Sequence, residues 1–207
     1  MTNHRQVILA SASPRRKELL SELKLDYIVV PSKVDEKQLI DEAGNISPAS
    51  IAELLAAAKA QDVFKSVDVT SVVIGADTIV VLDDDILGKP SDFDDSVAML
   101  QRLSGRTHTV YTGVAVVAAG TMETGSAATT VTFKTLSLEE IRAYVETGEP
   151  MDKAGSYGIQ NADISPVAKI DGDYYNVVGL PLARLRDMLI SFFPGLPSAP
   201  QQPPQFR

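Results

Sequence analysis

Short apolar runs alternate along the chain with longer segments in which apolar residues recur at helical spacing. The first run, residues 6–11 (QVILAS), predicts a buried strand. Ser13 and Pro14 then provide the N-cap and the first position of a helix with an apolar side of leucines. A strand, a tight loop and a helix form the opening unit of an α/β protein.

The same patterns predict the remaining elements. One helix is expected to start at 47–48, and two others to cover 94–103 and 181–193. A further helix is expected to start at a capping box over 137–140 and to end at 148. Strands are expected over 26–32, 71–74, 79–82, 108–118, 129–136 and 174–178. Asp77 and Thr78 interrupt the sequence between two of these strands. An acidic loop is predicted around Asp35 and Glu36, and a functional loop with strand fragments over 152–173.

Length and composition indicate one main domain. With 207 residues and 44% hydrophobic content, the chain can bury one sizeable core, which we expect over residues 1–193. The tail over 194–207 is rich in Pro, Gln and Ser, and we predict that it is disordered. The start is polar and no run of 18 apolar residues occurs, so we expect a cytoplasmic protein that does not contact a membrane.

Charge and cysteine content narrow the chemistry. The formal net charge is -8, which disfavours a nucleic-acid partner because the protein as a whole repels polyanions. The chain has no cysteine, which excludes disulfides, thiolate metal sites and a cysteine nucleophile. Any bound metal would therefore have oxygen ligands.

Two arginines, Arg15 and Arg16, lie in the first turn of the first predicted helix, close to the hydroxyls of Ser11 and Ser13. Cations at this end oppose the helix dipole, so an unliganded helix would favour Asp or Glu there. Backbone N–H groups, two guanidinium groups and nearby hydroxyls together are typical of a phosphate site. A solvated basic turn explains the same residues equally well.

Asp77 lies between two apolar runs and follows two small residues, Gly75 and Ala76. A carboxylate there either faces a cleft at a strand end or is buried at a cost in free energy. The small residues would leave room for a ligand to approach the backbone. Taken alone, the segment is explained slightly better by an aspartate in a hairpin turn.

Glu36 offers a second carboxylate for a metal site. Magnesium normally binds through one or two carboxylates together with substrate phosphates, and Glu36 with Asp77 would supply that pair. Lys59 and Lys89 would then offset triphosphate charge as point cations. For either lysine alone, a solvated surface position is the simpler interpretation.

Several common catalytic motifs are missing from the sequence. The LGKP segment around Lys89 lacks the GxxxxGK[ST] pattern of a P-loop, and no GxGxxG, HExxH or GxSxG occurs. His108 is one of two histidines and falls at a predicted strand start, where a structural role is expected rather than that of a general base.

Seven features follow one another between about residues 7 and 193: LASASPRRKELL, the Asp35-Glu36 pair, LLAAAKA, VIGADTIVVLDDDILGKP, MLQRLSGRTHTVYTGVAVV, YVETGEPMDKAGSYGIQ and GDYYNVVGLPL. In these the chain resembles the Maf family, the septum-formation inhibitor proteins that act as nucleoside triphosphate pyrophosphatases. The resemblance implies an α/β fold with a mixed sheet and two lobes around a central nucleotide-binding cleft, as in inosine triphosphatase-like proteins. It also implies a divalent cation, Mg²⁺ or Mn²⁺, and a possible homodimer.

The resemblance also implies roles for individual residues. Asp77 matches the acidic residue described as the proton acceptor. The residues that match positions around the phosphates and the metal are Ser11, Arg16, Glu36, Lys59 and Lys89, with Lys153 as a further candidate.

The chain is similar to the branch of the family that acts on dTTP and UTP and is associated with removal of unwanted nucleotides. Arg15, Thr78 and Gln160 match the positions linked to this specificity, and the segment YGIQ that ends at Gln160 is the strongest signal. The following NADI sequence departs from the glycine-containing sequence expected there.

A different class of function fits the same resemblance. A non-catalytic regulator of cell division could bind nucleotides or a protein partner in the same cleft. The intact set of Arg16, Glu36, Lys59, Asp77 and Lys89 argues against this alternative, because a sensor has little need of a base and metal ligands together.

Overall fold

A computed structural model describes residues 5–203, and within them helices and strands are interspersed along the chain. The strands are β1 Val7–Leu9, β2 Tyr27–Val29, β3 Val72–Leu82, β4 Asp85–Leu87, β5 Thr107–Ala118, β6 Thr121–Phe133 and β7 Val167–Asp171. The α-helices are α1 Pro14–Ser21, α2 Glu36–Ala43, α3 Pro48–Phe64, α4 Phe93–Leu103, α5 Leu138–Glu146, α6 Tyr174–Val178 and α7 Leu182–Leu189. Two short 3-10 helices cover Glu149–Asp152 and Ala154–Ser156.

The strands form one mixed sheet in the order β2-β1-β3-β5-β6-β7, with β4 paired to β3. Strand β1 is parallel to both β2 and β3, so that Val7 lies opposite Tyr27 and Val72. The pairs β3–β4 and β6–β7 are antiparallel. The predicted α/β class with a mixed sheet is confirmed. None of the helices in residues 5–203 has the length and apolarity that a membrane crossing requires.

The chain divides into two compact units. The first unit contains the described residues up to Asp77, together with Thr112–Ala127 and Gly179–Gln201. The second unit contains Thr78–Tyr111, Ala128–Val178 and the described residues from Gln202 onward. The division falls inside β3, so Asp77 and Thr78, which are adjacent in sequence, belong to different units.

The core of the first unit lies between α3 and the strands. Small residues of α3, Ala56 and Ala60, are fully buried with Ile8, Val73 and Ala115 from three strands. This close packing is possible because alanine allows the helix backbone to approach the sheet.

The core of the second unit contains a group of three rings. His108, Phe133 and Tyr157 meet edge to face, with ring centroids 4.8 to 5.3 Å apart. The imidazole Nε2 of His108 is 2.7 Å from the Tyr157 hydroxyl, and burial lowers the pKa of His108 to about 4. Neutral, buried His108 therefore fits the structural role expected from the sequence.

Helix boundaries set by side-chain caps agree with the sequence. The Ser47 hydroxyl accepts a hydrogen bond from the Ser50 N–H at the start of α3. At the start of α5, Ser137 and Glu140 form both hydrogen bonds of the predicted capping box. Strand β6 begins at Thr121, earlier than the predicted 129, and ends at Phe133.

Two segments predicted as loop and strand are helices. The acidic segment is not a loop at Glu36, because Asp35 caps α2 by accepting a hydrogen bond from the Gln38 N–H at 3.0 Å. The segment Tyr174–Val178 is helical and not a strand. Its aromatic and β-branched composition is typical of a strand, but an Asp173 carboxylate oxygen accepts from the Tyr175 N–H at 2.8 Å and so favours the helix.

The predicted interruption at Asp77 and Thr78 is also wrong, because β3 is continuous from Val72 to Leu82. Its first three residues pair in parallel with β1 and its last three pair with β4. A strand buried along nearly its whole length has no alternation of polar and apolar positions to reveal its extent.

The tail over 194–207 lies partly outside the described residues, which end at 203. Within the described part, Leu196 is buried, and the Pro197 carbonyl accepts a hydrogen bond from the Arg186 Nε at 2.7 Å. Disorder in the remainder of the tail stays a prediction.

Candidate active site

The N-terminus of α1 carries the first group of site candidates. Ser13 caps the helix, and no acidic residue occurs in its first turn, where Arg15 and Arg16 lie. The Arg16 guanidinium donates from Nη1 to the buried Ser11 hydroxyl at 3.3 Å and from Nε to the Gly179 carbonyl at 2.9 Å. Arg16 is therefore held in a defined position and does not belong to a freely solvated turn.

Lys59 joins the two carboxylates that the sequence singled out. Its ammonium donates a hydrogen bond to Asp77 Oδ1 and lies 2.6 Å from Glu36 Oε1. Lys59 is 8% exposed and Asp77 5%, whereas the Glu36 side chain is 45% exposed. The cluster thus has a buried carboxylate, a buried cation and one carboxylate that faces solvent.

Helical spacing on α3 explains why a lysine is buried here. The buried face of the helix includes Leu55, Ala56, Lys59 and Ala60, which follow the three- and four-residue period. Gly75 lies two residues before Asp77 on the same face of β3, since side chains alternate along a strand. A Cβ on Gly75 would overlap the Ala56 carbonyl oxygen and lie 2.8 Å from the Ala60 nitrogen.

Gly75 therefore makes room for α3. The sequence suggested that Gly75 and Ala76 leave space for a ligand, and for Gly75 this is wrong, because the backbone of the helix fills that space. The close approach of α3 lets Lys59 reach Asp77, so the glycine positions the site without contacting it.

Replacement of Gly75 by alanine tests this packing. We expect Gly75→Ala to lower the free energy of unfolding by about 1–3 kcal/mol or more, because α3 must shift away from the strand. Chemical denaturation would measure the loss. Gly195→Ala is a matched control, since a Cβ there would meet nothing within 4 Å. Equal stability of Gly75→Ala and the unmodified protein would contradict the assigned packing.

The electrostatics of the cluster follow from its burial. Burial raises the pKa of the Asp77 carboxyl above its ordinary value, while Lys59 and Arg16 oppose that shift. Burial lowers the pKa of Arg16, and the charges of Asp77 and Glu36 act in the opposite direction. Two cations thus face two carboxylates in the first unit, and both cations favour the charged form of Asp77.

Glu36 and Asp77 are the oxygen donors available for a cation in this cluster. Among the described residues, no group of three or more Asp, Glu or His side chains is arranged to hold a metal ion. Two carboxylates fit a magnesium-type cation only if substrate oxygens or water complete its coordination. The donor set therefore fits a cation that is bound together with phosphates.

Comparison with known proteins identifies the family. The family model described as Maf-like protein matches residues 6–192 of the chain. The chain belongs to the Maf family.

Similar curated proteins cover nearly the whole of this Maf-family chain. A dTTP/UTP pyrophosphatase of Moorella thermoacetica is 49% identical over 90% of this chain and 95% of its own length. A dTTP/UTP pyrophosphatase of Symbiobacterium thermophilum is 50% identical over 90% and 94%. Among solved structures, the Staphylococcus aureus Ham1 protein has 16% identity and a TM-score of 0.41, and the match covers 63% of this chain and 71% of that one.

The remaining site candidates of this Maf-family protein belong to the second unit. Thr78 is partly buried in β3, and Lys89 is exposed just after β4. The Lys153 ammonium donates to the Glu149 carbonyl and to Asp152 Oδ1, the latter at 2.9 Å. Gln160 is exposed.

The structure thus brings together five predicted residues by direct or electrostatic contact in the first unit: Ser11, Arg16, Glu36, Lys59 and Asp77. Sequence analysis missed the Gly179 carbonyl that binds Arg16 and the Tyr144 hydroxyl that accepts from the Gly158 N–H at 2.9 Å. Gly179 begins the GLPL stretch, which is part of the family resemblance. No local pattern around Tyr144 indicates its partner, which lies 14 residues away.

Proposed function

We propose that this chain is a nucleoside triphosphate pyrophosphatase that hydrolyses dTTP and UTP to the monophosphate and pyrophosphate. One observation carries the proposal: a buried Asp77 and a solvent-facing Glu36 meet at Lys59, and Arg16 acts electrostatically on both carboxylates. The names of the relatives that are 49% and 50% identical support the reaction and the substrate class.

Asp77 is the base in the proposed mechanism. Its buried carboxylate accepts a proton from a water molecule as that water attacks the α-phosphorus. The bond between the α-phosphorus and the oxygen that bridges to the β-phosphorus breaks, and pyrophosphate leaves in line with the attack. A raised pKa suits this role, because a stronger carboxylate base accepts a proton more readily near neutral pH.

Cations of the first unit stabilise the negative charge of the substrate. Arg16, held by Ser11 and Gly179, presents a preorganised guanidinium beside the N-terminus of α1, and Arg15 lies in the same turn. Lys59 contacts both carboxylates and offsets part of their negative charge. We also assign it to a contact with the triphosphate. We assign Lys89, and secondarily Lys153, to contacts with the triphosphate.

A divalent cation fits the donor set of this proposal. Glu36, at the exposed side of the cluster, and Asp77 would hold Mg²⁺ or Mn²⁺ together with phosphate oxygens. When bound, such a cation polarises phosphoryl oxygens and neutralises charge on the leaving pyrophosphate.

Base selection is assigned to Gln160, with Arg15 and Thr78 as further specificity positions. Uracil and thymine present an acceptor, a donor and an acceptor along the pairing edge. A glutamine amide can accept from the ring N–H and donate to a carbonyl of these bases. Cytosine reverses part of this order, so an amide held in one orientation rejects it by leaving polar groups unpaired.

The substrate assignment predicts a preference that can be measured. We expect kcat/KM for UTP and dTTP to exceed that for CTP and the purine nucleotides, and Gln160→Ala to reduce the UTP/CTP ratio by about 5- to 100-fold. The physical reason is the loss of one or two oriented hydrogen bonds to the base. Pyrophosphate release across a nucleotide panel would provide the values.

Gln101→Ala is a matched control for this experiment, because Gln101 is also exposed in the second unit and belongs to no assigned site. It should leave the UTP/CTP ratio unchanged. Equal kcat/KM for UTP and CTP in the unmodified protein would refute the substrate class. Absence of pyrophosphate release from any nucleotide would refute the reaction and favour a nucleotide-binding regulator.

A further inference from the structure

The segment from Tyr157 to Gln160 alternates between buried anchors and accessible positions. Tyr157 and Ile159 are 5% and 2% exposed, whereas Gln160 is exposed. The two anchors fix the direction of the chain, and Gln160 is presented to solvent directly after the second anchor. The orientation of the Gln160 amide therefore depends on how firmly the preceding peptides are held.

A tight turn fixes the entry to this segment. Gly155 and Ser156 both have positive φ values, 70° and 61°, and the Gly155 N–H donates to the Gly88 carbonyl at 2.9 Å. Positive φ at Ser156 is uncommon for a residue with a side chain, and the surrounding structure must compensate for its cost. This turn also joins the segment to Gly88, the neighbour of Lys89.

Both backbone polar groups of Gly158 are bound by side chains. The Gly158 N–H donates to the Tyr144 hydroxyl at 2.9 Å, and the Gly158 carbonyl accepts from the Ser165 hydroxyl at 3.1 Å. Two side chains from different parts of the second unit thus hold the two peptide groups that flank Gly158, two residues before Gln160.

Burial and a contact with Glu149 fix the Tyr144 side chain. It lies on α5, is 7% exposed, and its hydroxyl is 3.4 Å from Glu149 Oε1. A Cβ on Gly158 would lie 2.6 Å from the same Glu149 oxygen and 2.9 Å from Lys153 Cε, so these side chains enclose the glycine closely. The hydroxyl can accept from Gly158 and donate to Glu149 at the same time.

We propose that Tyr144 is a positioning residue for base selection, whose hydroxyl holds the Gly158 peptide and thereby fixes the Gln160 amide in the orientation that accepts uracil and thymine. The proposal rests on the function assigned above for Gln160. It explains why a glutamine, whose amide could otherwise turn over and accept cytosine, discriminates between the bases. Tyr144 does not touch the base, and its effect is transmitted through the backbone from Gly158 to Gln160.

Tyr144→Phe tests the proposal, because it removes one oxygen and leaves the ring in the core. We expect the ratio of the UMP and CMP dissociation constants, measured by calorimetry, to move toward one by about tenfold. Affinity for inorganic triphosphate should remain unchanged, since no phosphate contact is altered. The Gly158 amide proton should exchange with solvent faster than in the unmodified protein.

Two further variants separate this role from general destabilisation. Ser165→Ala removes the other partner of Gly158 and should also shift the UMP/CMP ratio toward one. Tyr27→Phe removes a hydroxyl that donates to the Lys17 carbonyl at 2.7 Å in the first unit, and it should leave the ratio unchanged. An unchanged ratio in Tyr144→Phe, or an equal change in Tyr27→Phe, would overturn the proposal.

Binding of the monophosphates does not require turnover, so failure of the proposed function can be distinguished from failure of this inference. Loss of the UMP preference in Tyr144→Phe, in a protein that releases no pyrophosphate, would support the positioning role and refute the enzyme assignment. A strong UTP preference in turnover that survives Tyr144→Phe would leave the enzyme assignment intact and refute the positioning role.

Discussion

Asp77→Asn is expected to lower kcat for UTP by about 10²–10⁴-fold, the usual contribution of a general base. Asparagine keeps the shape of the side chain but cannot accept the proton from the attacking water. The fold should survive, because Lys59 retains its contact with Glu36 and is not left as an unpaired buried charge. Pyrophosphate release and thermal unfolding of the same preparation would measure both effects.

The pH dependence of the reaction gives an independent sign of this role. Burial raises the pKa of Asp77 above its ordinary value, although Lys59 and Arg16 oppose the shift. A base works only when it is deprotonated, so kcat/KM should fall as the pH decreases through this raised pKa. The residual activity of Asp77→Asn should lack that acidic limb.

Asp62→Asn is the matched control. Asp62 also lies in the first unit, where its carboxylate accepts hydrogen bonds from the Ser32 hydroxyl and the Lys33 N–H at 3.0 and 2.9 Å. It belongs to no assigned site, so its replacement should leave kcat unchanged. Turnover of Asp77→Asn near the unmodified value would remove Asp77 from the mechanism.

Local sequence signals predicted the elements that local interactions determine. Ser47 and Ser137 cap α3 and α5 as expected, since a cap depends on residues within one helical turn. The same reasoning could have found α2, where Asp35 precedes Gln38 in an N-cap pattern, but the acidic composition favoured a loop. At α6, strand-forming residues outweighed the signal of Asp173.

The site could be predicted only in part, because its decisive contacts are between residues distant in sequence. Residue types indicated Glu36 and Asp77 as a pair of carboxylates. That Lys59 contacts both depends on the close approach of α3 over Gly75, which a sequence pattern does not reveal. The continuity of β3 through Asp77 also depends on this distant contact. Lys59 compensates the charge of Asp77, which would otherwise disfavour a buried strand.

Removal of divalent metal is expected to abolish pyrophosphate release without unfolding the protein, and addition of Mg²⁺ or Mn²⁺ should restore it. The expectation follows from two carboxylates that already share one cation, Lys59, and from a triphosphate that supplies further oxygen donors. Pyrophosphate release in excess chelator would be followed together with the melting temperature.

A metal titration then identifies the residue that holds the cation. Glu36→Gln should raise the Mg²⁺ concentration for half-maximal activity by about tenfold or more, because the amide is a weaker donor than the carboxylate. Glu42→Gln, on the same helix, is the control, since Glu42 is exposed and accepts a hydrogen bond only from Gln38 among the bonds observed for residues 5–203.

Full activity in excess chelator would contradict metal dependence, and an unchanged Mg²⁺ requirement in Glu36→Gln would exclude Glu36 as a ligand. Because Glu36 also contacts Lys59, an unchanged affinity for inorganic triphosphate in Glu36→Gln would show that the variant weakened metal binding and left the cationic side of the cluster intact.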